Sequence, residues 1–196
     1  YQSDPSLLDF IYGQPYQDGL IFYLDLTNGG GLVAHPSDYQ EKVYWGCEGD
    51  EILEAEGEAI GTGQQNTIDI LIGCNTQGIA ASICDNFYSD SYDDWFLPSK
   101  DELNQMYLKI GQGSKLPFGN IGGFADAEYW SSTESGLNNK EAFFQYFSTG
   151  SQINFSKNTG YFLVRPVRAF NEKRKSFVQE RLDNGETPFE IYQSHK

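Results

Sequence analysis

Histidine is nearly missing from this chain, with two in 196 residues, His35 and His195. Nucleophilic catalysis by Ser or Cys needs a base beside the nucleophile. Neither histidine sits in a recognisable triad pattern, and His35 reads as a turn or surface residue. No run approaches eighteen apolar residues, so nothing here is long enough to cross a bilayer as a helix, and membrane insertion is not expected. Basic residues are scarce too. Lys and Arg number 13 against 28 Asp and Glu, and the net charge of −15 repels phosphate backbones and sulfated polysaccharides. That excludes nucleic acid and heparin-like ligands as natural partners. Glycines 29–31 lack the lysine of a phosphate loop, and "GTG" at 61–63 is too short to be a signature. The three cysteines, Cys47, Cys74 and Cys84, match no zinc spacing, and their odd number permits one disulfide with one free thiol. Together these absences lead us to expect a protein that is not an enzyme. The chain opens at Tyr1 with no signal-like segment, which reads as a mature product or an excerpt.

What is abundant is aromatic side chains and glycine: 13 Tyr, 14 Phe and 21 Gly. Large flat side chains among many turns favour a loop-rich α+β fold over a helical bundle. Residues 20–26 read as a strand, "NGGG" at 28–31 as a turn, and 32–34 as the return strand of a hairpin. Asn66 is placed to cap a helix over 67–72. A second helix follows Gly78, with Ile79, Ala80, Ile83, Cys84 and Phe87 on one face, so Cys84 reads as a buried core thiol. In "DWFLPSKDELNQMY", Ser99 and Glu102 form a capping box for a helix whose apolar face is Leu103, Met106 and Tyr107. Pro98 holds Leu97 extended. "AEYWSSTE", "KEAFFQYFSTGSQINFS" and "GYFLVRPVRAF" read as strands, with Tyr146, Phe147 and Phe155 as packing residues around the "STGSQ" turn.

Charge is unevenly distributed. Residues 1–156 carry 23 acids and 5 bases, whereas residues 157–196 carry 5 acids and 8 bases. Residues 1–18 read as an extension or linker, 19–170 as the folded domain, and 171–196 as a helical linker or contact segment. Tyr192-Gln193-Ser194 repeats Tyr1-Gln2-Ser3 with a period of about 191 residues, the pattern of a unit from a tandem or head-to-tail array. Copies of the chain are therefore an expected partner. Tyr1, Leu7, Leu8, Phe10, Phe177, Phe189, Ile191 and Tyr192 are the candidate inter-unit contacts.

Asp90, Asp93 and Asp94, and separately Glu48, Asp50 and Glu51, are clustered oxygens of the kind calcium takes, although neither set is an EF-hand and no cofactor is required. In "VRPVR", one of Arg165 and Arg168 is expected to be partly buried against a carboxylate, Asp94 or Glu102. Tyr129 and Trp130 are the candidate stacking residues for a glycan. Asn154-Phe155-Ser156 is a formal glycosylation sequon.

"GLIFYLD", "YWGC", "AIGTGQQNT", "GIAASIC", "DWFLPSKDEL", "YWSSTE" and "VRPVRAF" occur in this order over roughly residues 12–170. The set resembles the Lcl C-terminal domain family, the C-terminal domain of a bacterial collagen-like adhesin, among the C-type-lectin-like folds. The resemblance implies short helices flanking a small twisted antiparallel sheet. It also implies an extracellular or cell-surface bacterial module without catalysis, serving in adhesion, as a repeating fibre subunit, or in carbohydrate binding. No cysteine follows Cys84, so the cysteine pair of the related formylglycine-generating enzymes is absent. Many members carry a cysteine in the final strand that can bridge to the one matching Cys84, and Pro166 stands there instead. The resemblance therefore implies a free Cys84 and a Cys47–Cys74 disulfide. Unfolding without reductant should release one titratable thiol per chain, and a count of three would refute the pairing.

Overall fold

The structure, a computed structural model, describes residues 9–89, 91–117, 119–137 and 139–170. It is an α+β domain with two small antiparallel sheets. The first has the order β1-β2-β3-β7, from β1 (Pro15–Tyr16), β2 (Gly19–Leu24), β3 (Gly31–Ala34) and β7 (Val167–Phe170). The second has the order β4-β5-β6, from β4 (Glu128–Glu134), β5 (Glu141–Tyr146) and β6 (Gln152–Ser156). Between them in sequence come α1 (Gly63–Gly73), α2 (Ala80–Asp85) and α3 (Lys100–Ile110). None of the helices in the described residues is long and apolar enough to cross a membrane.

Local chemistry explains these elements. The β2–β3 turn is closed by the Asp25 carboxylate, which accepts from the backbone N–H groups of Thr27 (2.9 Å) and Asn28 (3.0 Å). α3 starts in the expected capping box: Ser99 Oγ accepts from the Glu102 N–H (3.3 Å), and Glu102 Oε2 accepts from the Ser99 N–H (2.8 Å). α1 begins earlier than expected. Asn66 lies buried within it rather than capping it, because its side chain bonds the Gly57 carbonyl (2.7 Å) and Ser132 Oγ (3.1 Å). The expected boundary at residue 19 also moves. β1 pairs with β2, and the Gly13 N–H donates to the Ile21 carbonyl at 2.8 Å, so residues 13–16 belong to the domain.

One large core cluster packs α1 and α2 against the second sheet, through Trp45, Ile70, Cys84, Trp130 and Phe144. Another packs α3 against both sheets, through Phe22 of β2, Leu103, Met106, Tyr129 of β4 and Phe147. The 95–99 segment links the two sheets. Phe96 exchanges two backbone hydrogen bonds with Val167 of β7 (2.8 and 3.0 Å), and the Pro98 carbonyl accepts from the Ser132 N–H of β4 (2.7 Å). Cys84 is buried and free, and burial pushes its thiol far above the ordinary range. Cys47 and Cys74 are joined by a disulfide spanning a Cα–Cα distance of 5.8 Å.

Charges inside this frame are paired or capped. Lys157 and Glu134, both buried, form an ion pair. The lysine also donates to the Asp50 carbonyl (3.0 Å) and sits 4.6 Å from the Trp45 ring centroid. Arg165 pairs with Asp38 (2.6 Å) and donates to the carbonyls of His35 and Gly122 (2.9 Å each). Arg168 pairs with Asp94 and lies over Tyr92. Both arginines are therefore engaged, and Glu102 meets neither. Its Oε1 accepts from the Gly61 N–H (2.8 Å), and burial raises its carboxyl against the opposing pull of the surrounding N–H groups. His35, in the loop just after β3, is half-buried: its ring packs against Phe87 and Trp95 at the edge of an open cleft, and burial lowers its imidazole.

A Cβ on Gly63 would lie 2.2 Å from Glu102 Oε2 and 2.7 Å from the Ser99 nitrogen, so only glycine lets α1 approach this cap. Gly63→Ala should lower stability by about 1–3 kcal/mol in urea denaturation. Lys157→Met leaves the Glu134 charge buried and unpaired, and should cost about 3–5 kcal/mol by the same measurement.

Candidate functional site

The second sheet has one covered and one open edge. On the outer side of β4, the N–H groups of Trp130, Ser132 and Glu134 donate to the carbonyls of Leu163, Pro98 and Ala55 (2.7–3.0 Å). On the outer side of β6 no strand pairs among the described residues. Strand alternation puts Ala142 and Phe144 of β5 on the core face, and the register places Phe155 and Ile153 of β6 beside them. The row Trp130, Phe144, Ile153 thus runs from 0% to 1% to 44% exposed across the sheet. In the next row Ala142 is fully buried and Phe155 is 44% exposed. The apolar face of this sheet continues past its cover onto the edge strand. Phe155 reaches Phe144 and Phe162 (centroids 6.3 and 5.9 Å), so the expected packing residue is packed on one side only.

The opposite face of the same hairpin, apart from Phe143 beneath the Lys100 ammonium, is polar and tied down. Gln152 Nε2 donates to the Lys100 carbonyl (2.7 Å), Gln145 Nε2 to Asn104 Oδ1 (2.9 Å), and Asn154 Nδ2 to Glu141 Oε2 (2.6 Å). These bonds hold β6 in place, and Asn154 of the sequon is engaged by one of them. β6 itself, "QINFS", carries no charge. Beyond Phe162, whose backbone is bridged to Val43, lie Tyr44 and Tyr161. Both are about half exposed (47% and 49%), and their rings are tilted against each other at 5.1 Å.

Tyr129 and Trp130 cannot serve as a stacking platform, which corrects the sequence expectation. Both are fully buried. The Tyr129 hydroxyl donates to Asp38 Oδ2 (2.7 Å), and its ring packs on Phe124 and Phe147. Trp130 Nε1 donates to the Val43 carbonyl (3.0 Å), with its ring against Phe144 and Phe162. A sugar needs an open ring face, and these rings have none. The exposed pair, Tyr44 and Tyr161, was not singled out. Nothing in "YWGC" or "GYFLV" says which of two adjacent aromatics faces outward until the strands carrying them are paired.

The carboxylate clusters are also dispersed. Asp94 holds Arg168, and Glu48 accepts from Ser156 Oγ (2.6 Å). A shallow cleft of about 280 Å³ is lined by Glu51, Glu56, Glu134 and Asn139, but Glu134 there is held by Lys157. Among the described residues no three His, Cys, Asp or Glu side chains converge as a metal site; Asp90 lies outside them. Of the inter-unit candidates, Phe10 is described and is 65% exposed. Tyr1, Leu7, Leu8, Phe177, Phe189, Ile191 and Tyr192 lie outside the described residues.

Comparison with known proteins finds no family model that matches the chain, and no curated protein matches it.

The open edge predicts a contrast in stability. Phe144→Ala should cost about 3–5 kcal/mol as a core deletion. Phe155→Ser, at a half-covered ring, should cost about 1 kcal/mol. Equal losses in parallel urea titrations would mean that β6 is covered.

Proposed function

We propose that this chain is a non-catalytic extracellular bacterial module of the C-type-lectin-like kind, acting in adhesion or as a repeating subunit of a surface fibre. It would work by contact with copies of itself. The observation that carries this reading is the uncharged edge strand β6, onto which the apolar face of the second sheet runs with Ile153 and Phe155 left half open among the described residues. Sheet edges of this kind template pairing with another chain unless blunted by charge, proline or a covering segment. The Cys47–Cys74 disulfide fits an oxidising, extracellular setting. The perturbed buried groups have architectural partners: Glu102 caps α3, and Glu134 neutralises Lys157. The family resemblance carried by "DWFLPSKDEL", "YWSSTE" and "VRPVRAF" points the same way.

Light scattering of the full chain across concentrations, with electron microscopy of native material, tests the reading. The expected result is concentration-dependent assembly or filaments, and isolated monomers in both would sink it. A second reading, glycan binding, is favoured by the exposed Tyr44–Tyr161 pair. It predicts glycan-array binding that Tyr161→Ala abolishes while leaving the thermal midpoint unchanged.

A further inference from the structure

We propose that the open edge of β6 is completed by residues 187–192 of a second copy, laid alongside it as an added strand. This inference rests on the self-assembly reading above and names the surfaces that would carry it. An added strand gains main-chain hydrogen bonds from the edge and specificity from alternate side chains. The edge offers Ile153 and Phe155 two residues apart on one face, each 44% exposed and adjoining buried core. The sequence at 187–192 is Thr-Pro-Phe-Glu-Ile-Tyr, in which Phe189 and Ile191 repeat that two-residue spacing. Either strand direction, centred on Glu190 opposite Asn154, sets an aromatic or β-branched residue against Ile153 and Phe155. Pro188 falls near the start of such a strand, where a missing N–H is tolerated.

Charge selects this occupant over a second domain body. Residues 1–170 hold 23 acids and 8 bases, so two bodies brought face to face repel. Lys157, Arg165 and Arg168, which had made the last forty residues look basic, are all spent in ion pairs inside the domain. The 171–196 segment holds 5 acids and 5 bases, and 187–192 itself carries a single acid, Glu190, so this occupant meets far weaker repulsion than a second body. Reach permits the transfer. The 16 residues 171–186 that precede the strand can extend to roughly 55 Å, against a radius of gyration of about 15 Å for a body of this size.

The test uses two full-length variants, Glu190→Cys and Asn154→Cys, the second checked by circular dichroism and urea midpoint because it loses the bond to Glu141. The native cysteines should not interfere, since Cys84 is buried and Cys47 is bonded to Cys74. Mixing the variants under mild oxidant should give a disulfide-linked dimer about tenfold faster than either alone. Adding Phe155→Asp, or the milder Ile153→Ser, to the Asn154→Cys chain should slow that link about tenfold, with circular dichroism confirming the fold. The proposal is overturned by absence of the link, by a link indifferent to both edge substitutions, or by one that forms as readily between two Asn154→Cys chains. It is also overturned if a chain carrying both substitutions links only within itself. Light scattering of the unmodified chain separates the two levels of failure. Assembly without the cross-link means another surface joins the units. A wholly monomeric chain removes the self-assembly reading itself.

Discussion

Five residues, 95–99, hold the two sheets in one frame, and the rest of the domain takes its position from them. Phe96 is hydrogen-bonded to β7 in both directions, Pro98 accepts from β4, and the Leu97 N–H donates to Thr67 Oγ1 of α1 at 3.1 Å. Ser99 then opens α3, with its own N–H held by Glu102. A backbone segment buried this deeply has polar groups that must find partners. It finds them in a different element at nearly every step. That shared accounting, together with the main-chain bonds of Leu163 to β4 just before β7, fixes the spacing between the sheets.

Glu102 extends the constraint. One fully buried carboxylate receives N–H groups from the α3 cap and from the loop before α1, and Gly63 leaves it the room to do so. The buried cations follow the same logic. Lys157, Arg165 and Arg168 each meet a carboxylate and further acceptors, which offsets desolvation that an isolated charge could not survive. Such networks add less to net stability than to the choice of a single arrangement, since any other register would strand a charge.

Coverage of the apolar surface is uneven as a result. α1 and α2, with Trp45 and Phe162, cover the second sheet from β4 to β5, and among the described residues that layer thins at β6. The polar bonds beneath Gln152 and Asn154 keep β6 ordered even though its apolar face is half open. An uncharged edge whose polar side chains are already hydrogen-bonded is suited to receiving another chain, because the edge itself adds little ordering cost on binding.

The sequence by itself determined the local devices. The Ser99–Glu102 cap, a turn between β2 and β3, the buried Cys84 of α2 and the α+β class follow from local pattern, although Ile83 of the expected α2 stripe is only partly buried while Ala81 and Ser82 beside it are buried. Tertiary structure alone decided which aromatics are wet, which arginine meets which acid, and that Asn66 serves β4 instead of a helix start. These outcomes depend on pairings such as Lys157 with Glu134, or Phe144 with Ile153, and alternation along one strand cannot say what lies across from it. Trp130 and Tyr161 are both large aromatics on extended segments. Only the layer packed over one and missing over the other separates a core residue from a surface one.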